Sequence, residues 1–152
     1  IEDAECFHAA DPGGFLMAYV DGEPAASISA VTYGDGYAFL GCYIARPDQR
    51  GQGAGFHVAR AGLAHIGDRP AGLDGVVERQ ENYRALGFEF AHRNIRYGGM
   101  VDCTTPDDPR LGEIDEGLVP ALLAYDRPLN PAPRETFLRC WLRQTATRCR
   151  GR

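Results

Sequence analysis

Residues 45–56, ARPDQRGQGAGF, place glycines at positions 51, 53 and 55, directly after an aromatic-rich run and before a segment of helical spacing. A strand that passes through such a turn into a helix leaves the first amide N–H groups of that helix unpaired. The positive end of the helix dipole points to the same spot. Glycine lets an anion approach backbone that a Cβ would shield. The expected ligand is therefore a phosphate group, although glycines in this arrangement also serve a plain tight turn, and spacing alone leaves both readings open.

Two familiar phosphate loops do not fit. The P-loop needs Lys and then Ser or Thr after its last glycine, whereas Phe56 and His57 follow Gly55. The dinucleotide pattern G-x-G-x-x-G, begun at Gly51 and Gly53, would need glycine where Phe56 stands.

The flanking sequence supplies the elements around the loop. Residues 2–10 read as a short helix ended by the breaker cluster DPGG. FLMAYV, AASISAVTY and YAFLGCYIA are strand-sized runs separated by DGEP and GDG, which predicts three consecutive antiparallel strands. Phe56, Ala59, Leu63 and Ile66 recur at helical spacing, and that helix stops at Gly67. AGLDGVV, residues 71–77, reads as a further strand, made parallel to the third by the crossover helix. QENYRAL is a short helix capped by Gly87, and FEFAHRNIRY alternates like one more strand.

In this setting Arg50-Gly51-Gln52-Gly53-Ala54-Gly55 resembles the Arg/Gln-x-x-Gly-x-Gly/Ala signature of the GNAT superfamily, the acyl-CoA-dependent N-acyltransferases. Tyr83-Arg84-Ala85-Leu86-Gly87-Phe88 is similar to that family's Tyr-x-x-x-Gly-Phe element. The resemblance implies a mixed α/β (α+β) fold: a mostly antiparallel sheet with one parallel strand pair splayed around the cofactor, and helices on both faces. It implies that Gln52, Gly53, Ala54 and Gly55, with Arg50 and Gly51, hold the pyrophosphate of acetyl-CoA. The pantetheine arm would pair with the strand before the loop, at Cys42, Tyr43 and Ile44, where main-chain N–H groups polarise the thioester carbonyl. Tyr83 would donate a proton to the departing CoA thiolate, because a phenol is mostly protonated at neutral pH. Asn82 joins the cofactor contacts beside it. Many relatives carry asparagine seven residues before that tyrosine, where this chain has Val76.

The implied reaction is direct transfer of an acetyl group to an amine, and an ammonium substrate must first lose a proton. Residues 37–45 contain no carboxylate for that task, which makes Asp74 and Glu78 the candidate bases, followed by His92. Cys42, in the middle of an aromatic-rich strand, is expected to be buried and inert rather than a nucleophile.

The later segment LVPALLAYDRPLNPAPRETFLRCWL resembles a GNAT subgroup in which an acetyltransferase domain precedes a shorter GNAT-like domain. The expected organisation is a GNAT domain over 1–99 lacking its first strand, a linker over 100–116, the helical start of a second domain over 117–143 and a frayed tail over 144–152. The chain thus looks truncated at both ends. A missing edge strand leaves main-chain groups unpaired, which predicts a homodimer.

Composition narrows the classes. With 152 residues the chain is the size of one compact domain, and a net charge of −5 lacks the basic field of a nucleic-acid or membrane-surface binder. Five scattered cysteines form no C-x-x-C pair, which predicts reduced thiols in a cytoplasmic protein and no metal site. Three readings stand: an N-acetyltransferase, a CoA-binding or regulatory module without acceptor chemistry, and a structural domain whose glycine loop is only a turn.

Overall fold

The structure, a computed structural model, describes residues 3–95, 97–99, 109–110, 112 and 114–149, with side chains through Gln144. Helix α1 (Asp3–Ala10) leads through a 3-10 turn at Pro12–Gly14 into strand β1 (Phe15–Val20). Strands β2 (Glu23–Tyr33) and β3 (Tyr37–Ala45) follow as antiparallel neighbours. The β1–β2 connection is the two-residue turn Asp21-Gly22, with φ of 51° and 82°. Two positive φ values define the hairpin turn whose twist matches the strands, and glycine supplies the second at no steric cost.

Helix α2 (Ala54–Ile66) crosses over to strand β4 (Ala71–Leu73), which lies parallel to β3 and completes the order β1-β2-β3-β4. Alternate residues of the central strands, Ala26, Ile28 and Ala30 on β2 with Ala38 and Leu40 on β3, meet Val58, Ala59 and Ile66 of α2 in the core. Small residues bring the layers close: a Cβ on Gly62 would stand 3.3 Å from the Ala30 methyl.

Two further helices, α4 (Val119–Asp126) and α5 (Glu135–Cys149), follow the short α3 (Gln80–Ala85). Helix α5 packs along α1, where the Phe7 and Phe137 rings stand 4.9 Å apart, centroid to centroid. The segment expected to open a second domain therefore folds back against the first helix of the chain.

Three local expectations need correction. The fourth strand, expected over residues 71–77, ends at Leu73, and Val77–Arg79 form a 3-10 turn. Residues 88–95 form no strand, and Phe90 and Ile95 are exposed. The edge that β4 offers them is only three residues long, Ala71–Leu73. The backbone of α5 continues to Cys149, through most of the stretch expected to fray.

At the far end of α2 the chain is pinned by one carboxylate. Asp11 Oδ2 accepts from Thr32 N at 2.9 Å, Thr32 Oγ1 at 2.6 Å and His65 Nε2 at 2.8 Å. Burial works to raise the Asp11 pKa, but the hydrogen bonds from His65 and Thr32 outweigh it and hold the carboxyl down at about 2.

Candidate functional site

The parallel pair is the origin of the site. Pairing runs Ala38↔Ala71, Phe39↔Gly72 and Leu40↔Leu73, then β4 ends while β3 continues five residues to Ala45. Among the described residues, no strand pairs with the β4 side of residues 41–45. On its other side β3 carries a bulge: Ser27 pairs Ile44 and Ser29 pairs Gly41, so β3 spends one residue more than β2 over that interval. Cys42 takes the extra turn with φ of 47°, and its carbonyl accepts from Ser27 Oγ at 3.2 Å. A bulge re-aims backbone groups and leaves one residue out of the ladder. Cys42, expected to be buried, is exposed because the bulge lifts it out of the sheet.

Beyond Ala45 the chain makes a braced loop. Arg46 forms a two-point ion pair with Asp48 and donates to the Pro24 carbonyl. Arg50 Nε donates to the Ala45 carbonyl at 3.2 Å, and Gln52 Nε2 to the Asp48 carbonyl at 2.7 Å. The side chains of Arg50 and Gln52 thus hold the loop's shape. Gly51 and Gly53 have φ of 77° and 93°, values that favour glycine, and Gly53 is the N-cap of α2 without a side-chain cap bond. The first bond inside the helix is His57 N to the Gly53 carbonyl at 3.0 Å. The N–H groups of Ala54, Gly55 and Phe56 therefore have no intrahelical partner. Three unpaired amides thus stand at the positive end of a 13-residue helix, an arrangement that can hold a phosphate.

Two tyrosines join the cradle to the cleft. A Cβ on Gly55 would stand 3.3 Å from the Tyr43 hydroxyl, so Tyr43 reaches from β3 to the start of α2. Burial, and then the neighbouring Tyr83 phenol, raise the Tyr43 pKa above its ordinary value. Tyr83 stands across the opening on α3. Its carbonyl accepts from Leu86 N and Phe88 N, Gly87 reverses the chain at φ of 93°, and Leu86 and Phe88 pack on the core. That turn is the physical content of Tyr-x-x-x-Gly-Phe: it anchors α3 so that its tyrosine faces the strand gap.

Residues 1–88, more than half of the chain, match the acetyltransferase (GNAT) family. The chain belongs to the GNAT family. Holothin acyltransferase of Pseudoalteromonas sp. (strain SANK 73390) is 32% identical over 139 residues, covering 91% of this chain and 47% of that protein. A candidate acetyltransferase of known structure from Pyrococcus horikoshii superposes with a TM-score of 0.65 at 17% identity, over 94% of this chain and 50% of the other. This GNAT chain thus spans about half the length of both.

Within the GNAT frame the remaining predicted residues fall at the rim. Asp74, directly after β4, is exposed, accepts from Asn94 Nδ2 at 2.9 Å and raises the pKa of nearby Tyr37 after burial has done so. Glu78, Asn82 and His92 are exposed, as are Val76 and Ile44. Among the described residues, no three His, Cys, Asp or Glu side chains gather into a metal-binding group, and no helix is long and apolar enough to cross a membrane.

Two residues of the site were missed from sequence. A Cβ on Gly75 would collide with the Tyr83 ring, and one on Gly72 with the Tyr37 hydroxyl. Both glycines interrupt a strand-like run, and an isolated glycine there signals close approach of another group.

Proposed function

We propose that the chain is an acyl-CoA-dependent N-acyltransferase that moves an acetyl group from acetyl-CoA to an amine by direct transfer. The observation that carries this reading is a juxtaposition. The point where β3 and β4 part adjoins the uncapped start of α2, and Tyr83 faces the gap between them.

The residues fit the cosubstrate. The amides of Ala54, Gly55 and Phe56 would hold its pyrophosphate, while Arg50, Gly51, Gln52 and Gly53 keep the loop in shape. The unpaired side of β3 at Cys42, Tyr43 and Ile44 would take the pantetheine amides as a strand takes a partner. Acetyl-CoA supplies the activated acyl group as a thioester. The main chain at the Cys42 bulge would stabilise charge on the carbonyl oxygen as the amine attacks. Tyr83 would then protonate the sulfur as the carbon–sulfur bond breaks. Asp74 and Glu78, which follow β4, and His92 further on are exposed and would be the side chains open to an acceptor that arrives charged.

The relative named above acts, by its name, on holothin, which makes that compound one acceptor to try. Thermal unfolding with acetyl-CoA tests the donor: at about a hundred times its Kd a ligand stabilises the fold by roughly 2.7 kcal/mol. The absence of any shift at millimolar acetyl-CoA removes the reading. A shift without release of CoA thiol over a broad amine panel assigns the chain instead to CoA binding without transfer.

A further inference from the structure

On the sheet face opposite α2 lies a cavity of about 250 Å³ with aromatic walls. Phe7 of α1, Tyr33 of β2, Tyr37 and Phe39 of β3, and Phe137 of α5 line it, with Arg134 at one side. The alternation of β3 explains the division: Ala38 and Leu40 face α2, so Tyr37 and Phe39 face the cavity. At ~30 Å³ per water-sized group the space holds about eight such groups, the size of one ring or a small fused pair.

The electrostatics of this space are near neutral. Arg134 stands 5.5 Å from the Phe137 ring centroid, and Asp126 compensates its charge through bonds of 3.1 Å from Nε and 2.7 Å from Nη2. No acidic side chain lines the cavity. Burial pushes the Tyr33 hydroxyl up to about 12, against the opposing pull of Arg134, so it stays a neutral donor. The cavity also adjoins the reacting region. Phe39 pairs with Gly72 one step before the strands part, and lies about 10 Å from Cys42 along β3 at ~3.3 Å per residue.

A second observation concerns protons. Asp74, Glu78 and His92 are all exposed, and Asp74 is engaged by Asn94. An alkylamine is an ammonium at neutral pH and needs a base. An amino group conjugated to an aromatic ring keeps its lone pair delocalised and is already neutral.

We infer that the acceptor is a small planar amine whose amino group is conjugated to its ring, with the ring held against Phe39, Tyr37 and Phe7 and the nitrogen directed toward the Cys42 bulge. This rests on the acyl-transfer reading above and names its substrate class. The nitrogen lone pair attacks the thioester carbon and a carbon–nitrogen bond forms. The carbon–sulfur bond breaks, the extra N–H proton leaves to water, and Tyr83 protonates the thiolate and is reprotonated from water.

The test is CoA thiol release by the chain with acetyl-CoA and three acceptor sets: anilines and aminoheterocycles, benzylamine, and aliphatic amines. Benzylamine carries a ring but a basic nitrogen, so it separates ring fit from nitrogen basicity. The expected result is a kcat/KM for conjugated amines at least tenfold above both other sets, and flat from pH 6 to 8. Ala132 also lines the cavity, and Ala132→Leu, which narrows it, should raise KM for conjugated amines about tenfold and leave KM for acetyl-CoA unchanged. Phe39→Leu replaces it if the first variant melts early, with the same KM split expected. Preference for alkylamines, or equal KM values in a folded variant, overturns this inference and leaves acyl transfer standing. Absence of acetyl-CoA binding overturns both.

Discussion

Gly75→Ala should slow acyl transfer by misplacing Tyr83, although Gly75 itself carries no functional group. A Cβ at position 75 would stand 2.7 Å from Tyr83 Cδ2 and 3.0 Å from Cζ, and closer still to Cε2. Carbon contacts are comfortable from ~3.5 Å, so the ring must retreat by roughly 1 Å. The ring is the part that gives way, being the end of a rotatable side chain on an exposed short helix. Misplacing a reacting group by about 1 Å costs about 10²-fold in rate, or about 2.7 kcal/mol of barrier. The assay is CoA thiol release under saturating acetyl-CoA, with KM for acetyl-CoA measured alongside to show that the cradle at α2 is intact. Tyr83→Phe, which removes the proton donor, should cost 10²-fold or more by itself. In the double variant the displaced ring has no hydroxyl left to misplace, so Gly75→Ala with Tyr83→Phe should be no slower than Tyr83→Phe alone. Position 75 is exposed, so the melting temperature should hardly move. The reasoning fails if Gly75→Ala keeps kcat within about twofold of the parent, or if the two substitutions multiply.

Two other substitutions separate cradle from scaffold. Gly53→Ala puts a Cβ on a residue at φ of 93°. It should cost roughly 1–2 kcal/mol of stability and weaken acetyl-CoA about tenfold by calorimetry, and an unchanged Kd would show that the loop is only a turn. Asp11→Asn should cost about 2 kcal/mol at neutral pH, because hydrogen bonds from His65 and Thr32 hold the native carboxyl down at about 2, below its ordinary value of 3.8. The folded pKa lies below the unfolded one, so this contribution is complete above the unfolded value and is lost as pH falls through the folded one. Urea melts at pH 7, 4 and 3 should therefore converge for parent and variant as pH falls. Parent and variant melting alike at pH 7 would rule this out.

What could be read in advance depended on whether a feature is local. The strands up to Ala45, the helix begun after Gly53 and the capped turn at Gly87 each follow from neighbouring residues: period-two alternation, glycine at positive φ, and apolar residues at helical spacing. The uncapped helix start was legible for the same reason, since main-chain amides there need only the loop and the helix. The second strand of the parallel pair was not. Val76 and Val77 carry the β-branched character that extends a strand, yet the chain leaves the sheet after Leu73.

A side chain from elsewhere stands beside that departure. Tyr83 lies eight positions after Gly75, and the ring occupies the space that the missing Cβ leaves free, a contact with no signature in the alternation of residues 71–77. The same holds for Asp11 and His65, 54 positions apart, and for Arg134 beside Tyr33. Those pairings fix where β1, α2 and α5 sit on the sheet, and none has a local pattern. The consequence for function is specific. The proposed donor side of the site is built from adjacent residues, and its helix start followed from the glycine spacing. The proposed acceptor side is walled by Phe7, Phe39 and Phe137, drawn from three distant segments, and becomes a pocket only when α5 folds back against α1. If that cavity takes the acceptor, a substitution along α5 should change acceptor preference and leave acetyl-CoA binding unchanged.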